Sequence, residues 1–310
     1  MQVLSIRLLF LILCGTLVTG CAVTKPTVSR LDPIPRLAVI SAFDAELEKL
    51  RSAAKITGTE VINGRTHYLG TLEGHDVVLL LSGYSMVNAA MTTQALFDHF
   101  AVKGVVFSGI AGGVNPDLQV GDVTVAAQWG NYQESHFGRE SVSGFDPGRA
   151  PAEFKNYGMM FPRSSSVPVL GAVPDKLEKR FWFPVDPEAL KTATRLAGSV
   201  KLSRCTPAGD CLEKEPRLIV GGNGVSGPTF VDNGAYRQWA WETFRADALD
   251  METAAVAHVA YVNRIPYIAF RSLSDLAGGG VGKNEGKIFG KLAANNSAAV
   301  VIEYLKLSKE

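Results

Sequence analysis

The chain has 310 residues, a formal net charge of +1 and 46% hydrophobic residues. This length suffices for a domain with a large core, and the balanced charge does not favour nucleic acid as a partner. The sequence contains no internal repeat and no low-complexity block, which argues against a solenoid or a disordered chain.

The N-terminal residues have the pattern of an export signal. Arg7 is followed by the apolar run LLFLIL and then by LVTGC. A charged start, a short apolar stretch and small residues before a cleavage point are typical of a secretory signal, and the run is too short to span a bilayer. LVTGC resembles the bacterial lipobox, in which cleavage exposes a cysteine that carries lipid, here Cys21. The alternative is an ordinary signal with a chance cysteine; Cys14 fits less well because bulky Leu13 precedes it.

These features predict three parts: a signal at 1–20, a lipidated, proline-bearing tether at 21–36 and a working domain at 37–310 with long loops at about 131–217. No second apolar run is long enough to span a membrane. We therefore expect a protein of the bacterial cell envelope, held on a membrane by its lipid anchor and facing the periplasm or the exterior.

The other two cysteines, Cys205 and Cys211, would then lie in an oxidising compartment. They bound CTPAGDC, whose proline and glycine allow a tight loop. A disulfide is the favoured prediction. A metal site is a weaker one, because no paired histidine or cysteine ligands flank the segment.

Short apolar runs alternate with helical patterns from residue 36 onward. Strands are predicted at 36–43, 75–83, 103–113, 121–129, 246–251 and 265–275, and helices at 45–54, 85–100 and 251–260. Continuous apolar strands that alternate with helices indicate an α/β domain whose sheet is covered on both faces. The stretch at 131–217 is rich in Gly, Pro and Ser, and loops of that length usually shape a site or are mobile.

Three acids follow separate predicted strands. Glu46 comes after the first strand, Glu252 follows the strand at 246–251, and Asp275 closes the last one. Because ligands gather beyond the carboxyl ends of strands in such sheets, we expect the three carboxylates to meet at one rim. Acids also start helices there by contacting unpaired N–H groups, so an accidental trio is the alternative.

Several motifs, taken together and in order, resemble the nucleoside phosphorylase superfamily. They are SGIAGG, GDV, DMETAAVAHV and FRSLSD, and with FVDN and SDLAGGG they are most similar to the 5′-methylthioadenosine/S-adenosylhomocysteine nucleosidases and to related plant storage-type proteins. The resemblance covers about residues 37–308. It implies a three-layer α/β/α sandwich with a central twisted mixed sheet, cleavage of the N-glycosidic bond of a purine nucleoside, no cofactor or metal, and a homodimer.

The resemblance also implies roles for individual residues. Glu46 matches the acid that positions and deprotonates the attacking water, and Asp275 matches the acid that protonates the purine. The implied substrate-binding residues hold the ribose or contact the base: Gly112, Phe230, Val231, Met251, Glu252 and Ser274. Because the departing purine carries negative charge, Asp275 needs an environment that raises its pKa, whereas Glu46 should remain an ionised base.

The nucleophile in this superfamily is either water or phosphate. Phe107 and Ile110 stand where the resembling phosphorylases carry an Arg and a Ser, and neither side chain can donate a hydrogen bond to an anion. This favours hydrolysis to a free base and a ribose-type sugar. Ser108 and Arg271 keep phosphorolysis open, although Arg271 can equally pair with an acid of the protein.

Two positions depart from the nucleosidase pattern, which has a serine in place of Ile110 and a lysine in place of Met86. The long middle loops lie where the family recognises the 5′ substituent, so the preferred substituent and base are not transferred. An anchored protein outside the cytoplasm implies an extracellular nucleoside. A phosphorylase, or a nucleoside-binding storage-type protein with little turnover, are the alternatives.

The lipobox yields a direct test. Cys21→Ser should release the protein from the membrane fraction or leave its signal uncut, because the acceptor thiol is gone. Fractionation and intact mass of the native and variant proteins measure this, with Cys14→Ser as the matched control that keeps the anchor. A soluble native protein of unmodified mass would contradict the prediction.

Overall fold

The computed structural model describes residues 30–148, 151–171, 173, 175–280 and 282–308. The predicted signal, Cys21 and most of the predicted tether lie outside the described residues. Within that part of the chain, none of the helices combines the length and the apolar character needed to cross a membrane.

The first half of the domain is built mainly from long strands and two helices. Its elements are β1 (Asp32–Ser41), α1 (Asp44–Ala53), β2 (Lys55–Ile62), β3 (Arg65–Leu72), β4 (His75–Leu81), α2 (Ser85–His99), β5 (Phe100–Gly113), β6 (Val123–Val125) and β7 (Gln128–Asn131).

The middle of the chain holds short elements. They are β8 (Ser135–Phe137), β9 (Arg139–Ser141), β10 (Gly144–Asp146), β11 (Met160–Pro162), β12 (Ser165–Pro168), β13 (Leu177–Arg180), β14 (Trp182–Pro184) and α3 (Pro187–Thr194). The last part contains β15 (Leu218–Val220), β16 (Asn223–Ser226), α4 (Gly234–Phe244), β17 (Ala246–Asp250), α5 (Thr253–Val262), β18 (Tyr267–Asp275) and α6 (Gly286–Leu307).

Twelve of these strands form one mixed sheet. Nine follow the order β14-β7-β16-β17-β5-β1-β4-β3-β2, while β18 pairs with β5 and β6, and β15 pairs with β6. β1 lies parallel between β4 and β5, and β18 runs parallel to β5. The carboxyl ends of β1, β4, β5 and β18 therefore meet at one edge of the sheet, as predicted for the ligand-binding rim.

The sheet is buried on both faces, which explains its continuous apolar strands. Ala38, Val39 and Ile40 are fully buried although successive side chains of a strand point to opposite faces. Helices α1 and α6 pack together over one face, and α2 and α5 pack together over the other. The predicted three-layer α/β/α sandwich is confirmed.

The boundary between tether and domain differs from the prediction. β1 begins at Asp32, so the last residues of the stretch predicted as a tether at 21–36 are part of the sheet. Arg36 forms a buried ion pair with Asp32 and donates to the carbonyls of Gly70 and Val77 at 3.3 Å each. Arg36 and Asp32 can be buried in the strand because their charges are paired and hydrogen-bonded. The polarity of the sequence alone does not show these partners.

The prediction of long loops at 131–217 is wrong in part. Strands β8 and β11, β9 and β10, and β12 and β13 form three two-stranded ribbons, and β14 extends the main sheet beside β7. Strands of three or four residues are too short to show a period of two in the sequence, which is why composition alone suggested loops. The strand predicted at 121–129 is likewise divided into β6 and β7.

The predicted disulfide is present between Cys205 and Cys211. The loop that it closes is attached to the domain through α6, because Asn296 accepts from the Ser203 amide at 2.8 Å and donates to the Ser203 carbonyl at 3.0 Å. Leu212, just after the bridge, packs against Gly121 at the entry to β6.

Candidate active site

A pocket of about 220 Å³ opens at the carboxyl edge of the sheet. It is lined by every predicted catalytic and substrate-binding residue: Glu46, Gly112, Phe230, Val231, Met251, Glu252, Ser274 and Asp275. A wider hollow of about 730 Å³ lies at the opposite edge, between α3 and the end of α6, but contains none of them. Because the acids gather in the smaller pocket, we take that pocket as the candidate active site.

Glu46 lies in the first turn of α1 and is 1% exposed. Its Oε2 accepts from the Ala42 amide at 2.7 Å, and its Oε1 accepts from the Ile110 amide at 2.8 Å. Burial raises the pKa of the Glu46 carboxyl, while the charge of Arg271 and these amides oppose the rise. The side chain is thus held in one orientation, and its proton affinity exceeds that of an exposed glutamate.

Arg271, in the middle of β18, lies behind the pocket and is fully buried. Its Nε is 2.8 Å from Asp250 Oδ2, its Nη1 is 3.7 Å from Glu46 Oε1, and its Nη2 is 3.9 Å from Glu252 Oε2. The guanidinium also stacks over the Phe107 ring, 4.1 Å from its centroid. One cation is therefore shared by three buried carboxylates.

Glu252 lies at the N-terminus of α5 and is 5% exposed. Burial, with the nearby charge of Asp250, raises the pKa of the Glu252 carboxyl to about 7. Its Oε1 does not cap its own helix but accepts from the Ser85 amide of α2 at 2.7 Å. Ser85 has a φ of 74°, a left-handed conformation that is unfavourable for a serine and places its amide toward Glu252. The interpretation of Glu252 as a mere helix start is therefore not sufficient.

Asp275 ends β18 and is 4% exposed. Its Oδ1 accepts from the Ala277 amide and its Oδ2 from the Ser274 hydroxyl, both at 2.8 Å. Burial raises the pKa of the Asp275 carboxyl, and these hydrogen bonds oppose the rise. A Cβ on Gly112 would lie 3.3 Å from Asp275 Oδ1, so the bare backbone of Gly112 leaves room for the acid.

Aromatic and apolar side chains form the remaining walls of the pocket. Phe230 is 65% exposed, so a flat ligand can stack on its ring. Phe43 and Tyr84 stack on each other at the side of Glu46 and Glu252, with ring centroids 5.2 Å apart. Met86 does not line the pocket; it lies in a separate groove between α2 and α5.

The three β5 residues weighed as phosphate contacts offer little to an anion. Phe107 is fully buried beneath Arg271, and Ile110 lines the pocket with an apolar side chain. The Ser108 hydroxyl is paired with the Ser297 hydroxyl at 2.9 Å. None of the described residues that line the pocket is a lysine, arginine or histidine.

Sequence reasoning missed Asp250, which lines the pocket, and left Arg271 as a structural or phosphate-binding alternative. The only sequence signal for Asp250 was a second acid two residues before Glu252. Across the part of the chain that the structure describes, no group of three or more His, Cys, Asp or Glu side chains is arranged to hold a metal ion.

Comparison with known proteins adds independent evidence. A family model described as the phosphorylase superfamily matches residues 36–306. The chain is 30% identical to the 5′-methylthioadenosine/S-adenosylhomocysteine nucleosidase of Bacillus licheniformis, over 87% of this chain and 98% of that protein. It is 28% identical to the nucleosidase of the same name from Tolumonas auensis, over 87% of this chain and 99% of that one.

A solved structure shares the fold and the sequence similarity. The nucleosidase of the same name from Neisseria meningitidis, in complex with methylthio-immucillin-A, is 27% identical, with a TM-score of 0.63. The match covers 88% of this chain and 99% of that chain. The pocket therefore contains the acids that the sequence resemblance predicted, and the family model and the relatives match the same region of the chain.

Gly109 provides a test of the buried charge cluster. A Cβ at Gly109 would lie 1.9 Å from Arg271 Nη1 and 2.6 Å from Glu46 Oε1. Gly109→Ala should therefore displace the guanidinium and lower the free energy of unfolding by roughly 1–3 kcal/mol. Gly290→Ala, in α6 with open space around it, is the control and should not lower the melting temperature. Equal melting of the Gly109 variant and the native protein would refute this account of the cluster.

Proposed function

Because the chain belongs to the phosphorylase superfamily, we propose that it hydrolyses the N-glycosidic bond of purine nucleosides of the 5′-methylthioadenosine/S-adenosylhomocysteine type. The observation that carries the proposal is the meeting of Glu46, Glu252 and Asp275 in one pocket although they are far apart in sequence. The products are a free purine, such as adenine, and the ribose-type sugar.

Asp275 acts on the leaving group. Breaking the C–N bond places negative charge on the purine, and a proton from a neighbouring acid neutralises it. Burial raises the pKa of Asp275, so a larger fraction carries a proton near neutral pH than in an exposed aspartate. The Ser274 hydroxyl and the Ala277 amide each donate to one oxygen of Asp275, so the carboxyl group is held in a defined orientation toward the purine.

Glu46 acts on the nucleophile. A carboxylate with a raised pKa is a stronger base, and burial supplies that rise here. Amides from two different segments fix its oxygens, and Arg271 keeps the ionised form accessible in the buried site. Glu46 can therefore take a proton from an attacking water on the sugar side of the pocket.

Glu252 holds the sugar. Its Oε2 is not hydrogen-bonded to Ser85, which binds Oε1, and can accept from ribose hydroxyls. A negative charge beside the sugar also favours the positive charge that develops on it as the bond breaks. The stacked pair Phe43 and Tyr84 adds an apolar wall on that side, which suits a nucleoside with an apolar 5′ substituent.

The charge of the pocket favours water over phosphate. A phosphate would meet four carboxylates, and the lining offers it no cationic side chain among the described residues. Arg271 is held behind the lining by Asp250, Glu46 and Glu252, so it is not free to clamp an anion.

The lipobox-like sequence and the disulfide support a location outside the cytoplasm. A disulfide persists in an oxidising compartment, and the Cys205–Cys211 bridge fits that environment. We therefore propose lipid anchoring at Cys21 and a nucleoside substrate drawn from the cell envelope or beyond it.

We also propose that two copies form a homodimer through α2. Val87 is 79% exposed and Met91 is 48% exposed, beside an apolar groove lined by α2 and α5 residues such as Ala90 and Val259. Tyr84, 59% exposed, joins this surface to the pocket. Apolar side chains clustered in this way are typical of subunit interfaces.

Product analysis tests the enzymatic proposal. The protein should release purine and free sugar from methylthioadenosine with or without phosphate, and adenosylhomocysteine, adenosine and inosine would define its range. Asp275→Asn should reduce kcat by at least roughly 10²-fold, because the amide cannot supply the same proton. Asp76→Asn, the same change at an exposed position of β4, should retain native kcat. Sugar 1-phosphate formed only in the presence of phosphate would overturn hydrolysis.

Solution mass tests the dimer. The native domain should sediment with twice the mass of one chain, and Val87→Glu should shift it to a monomer by placing charge in the interface. Val61→Glu, at an apolar position on β2 that is 69% exposed, serves as the control and should leave the mass unchanged. A native monomer would exclude the α2 interface.

A further inference from the structure

Asp250 ends β17, is 5% exposed and lines the pocket. Its Oδ2 lies 2.8 Å from Arg271 Nε and also accepts from the Thr253 hydroxyl. Its Oδ1 accepts from the Ser226 hydroxyl and, at 3.1 Å, from the Thr253 amide. The carboxylate is therefore fully engaged by neighbours from β16, α5 and β18.

These contacts fix the guanidinium of Arg271 from one edge. Arg271 Nε also donates to the Thr253 hydroxyl at 2.9 Å, so Asp250 and Thr253 together determine where this edge lies. The opposite edge then faces two other carboxylates of the pocket, with Nη1 near Glu46 and Nη2 near Glu252. Nη2 is buried and makes no hydrogen bond to the described residues. Its position therefore depends on the contacts that Nε of the same guanidinium makes with Asp250 and Thr253.

A simpler explanation is that Asp250 caps α5. It accepts from the amides of Glu252 and Thr253, two donors in the first turn that would otherwise be unsatisfied. A cap, however, does not require an arginine at 2.8 Å, and a neutral serine or asparagine would serve. A buried carboxylate at this position is explained by the charge that it pairs with.

We propose that Asp250 is a positioning residue that holds Arg271 between Glu46 and Glu252 and thereby sets the orientation of the guanidinium toward both carboxylates. The inference rests on the proposed function, because it assigns a part in that reaction to a residue that does not itself touch the reacting atoms.

The charges around Glu252 determine the sign of the effect. Asp250 and Glu46 repel a proton-free Glu252, whereas Arg271 and the Ser85 amide stabilise it, and Tyr84 lies nearby. Asp250→Asn removes one of the two like charges, so the pKa of Glu252 should fall below its native value of about 7. If ionised Glu252 holds the ribose, native kcat/KM rises with pH through that value, and the variant should show the same rise at lower pH.

The experiment compares pH profiles of native protein and Asp250→Asn. We expect the acidic limb of kcat/KM to move down by roughly one pH unit. The plateau of kcat should fall by roughly tenfold or more, because Arg271 loses the anchor that aligns it with Glu46. The KM at high pH should change less than kcat, since Glu252 is ionised there in both proteins.

Ser226→Ala is the matched control. It removes another hydrogen bond to the same carboxylate and a bond from the Ala254 amide, but it keeps the charge of Asp250 and lies outside the pocket lining. It should lower the melting temperature without moving the pH profile. If Asp250→Asn also lowers only the melting temperature, Asp250 is a helix cap and the proposal is wrong.

Two further measurements cover the remaining cases. If Asp250→Asn does not fold, Thr253→Val removes the hydroxyl between Asp250 and Arg271 while keeping every charge. The kcat of this variant should fall, and the acidic limb of its pH profile should not move. A native kcat in Thr253→Val would overturn the proposal.

Carbon-13 titration of labelled glutamate carboxyls, with Glu252→Gln for assignment, reports the pKa of Glu252 without turnover. If the native protein cleaves no nucleoside but the Glu252 pKa is lower in Asp250→Asn than in the native protein, the proposed function alone is refuted.

Discussion

The burial of one guanidinium among three carboxylates constrains the whole carboxyl edge of the sheet. Arg271 on β18 lies between 2.8 and 3.9 Å from carboxylates of β17, α1 and the start of α5. An unpaired buried charge costs several kcal/mol or so, and removing one partner of a buried pair leaves that cost uncompensated. The four segments are therefore held in one arrangement around Arg271, which places Glu46, Asp250 and Glu252 next to one another in the pocket.

Much of the fold was predictable because its signals are local. The apolar runs of β1, β5 and β18 and the pattern of α2 and α5 each lie within one window of sequence, and alternation of such runs specifies a covered sheet. The candidate acids were also predictable, since each follows a recognisable strand. The β2–β3 hairpin was overlooked despite its Asn63-Gly64 turn, in which both residues have positive φ values, a strong hairpin signal.

What sequence did not reveal depends on contacts between distant segments. Nothing in FRSLSD shows that Arg271 turns away from the solvent and toward Asp250 and Glu46, and nothing in DMET shows that Glu252 bonds to Ser85 on another helix. The raised pKa of Glu46 also departs from the expectation of an ordinary ionised base, because burial enters only with the fold. A sequence pattern shows the hydrophobic period of one helix or strand. The ion pairs of Arg271, in contrast, depend on how four separate elements pack against one another.

The direction of β1 has a consequence for how an anchored form would meet its substrate. The chain enters β1 at Asp32, and the pocket opens beyond the other end of this ten-residue strand, which at about 3.3 Å per residue spans roughly 30 Å. The Debye length in physiological salt is about 8 Å, so the charge of lipid headgroups is screened over that distance. A bilayer lying at the entry end of β1 would therefore not act through its headgroup charge on a nucleoside at the mouth of the pocket.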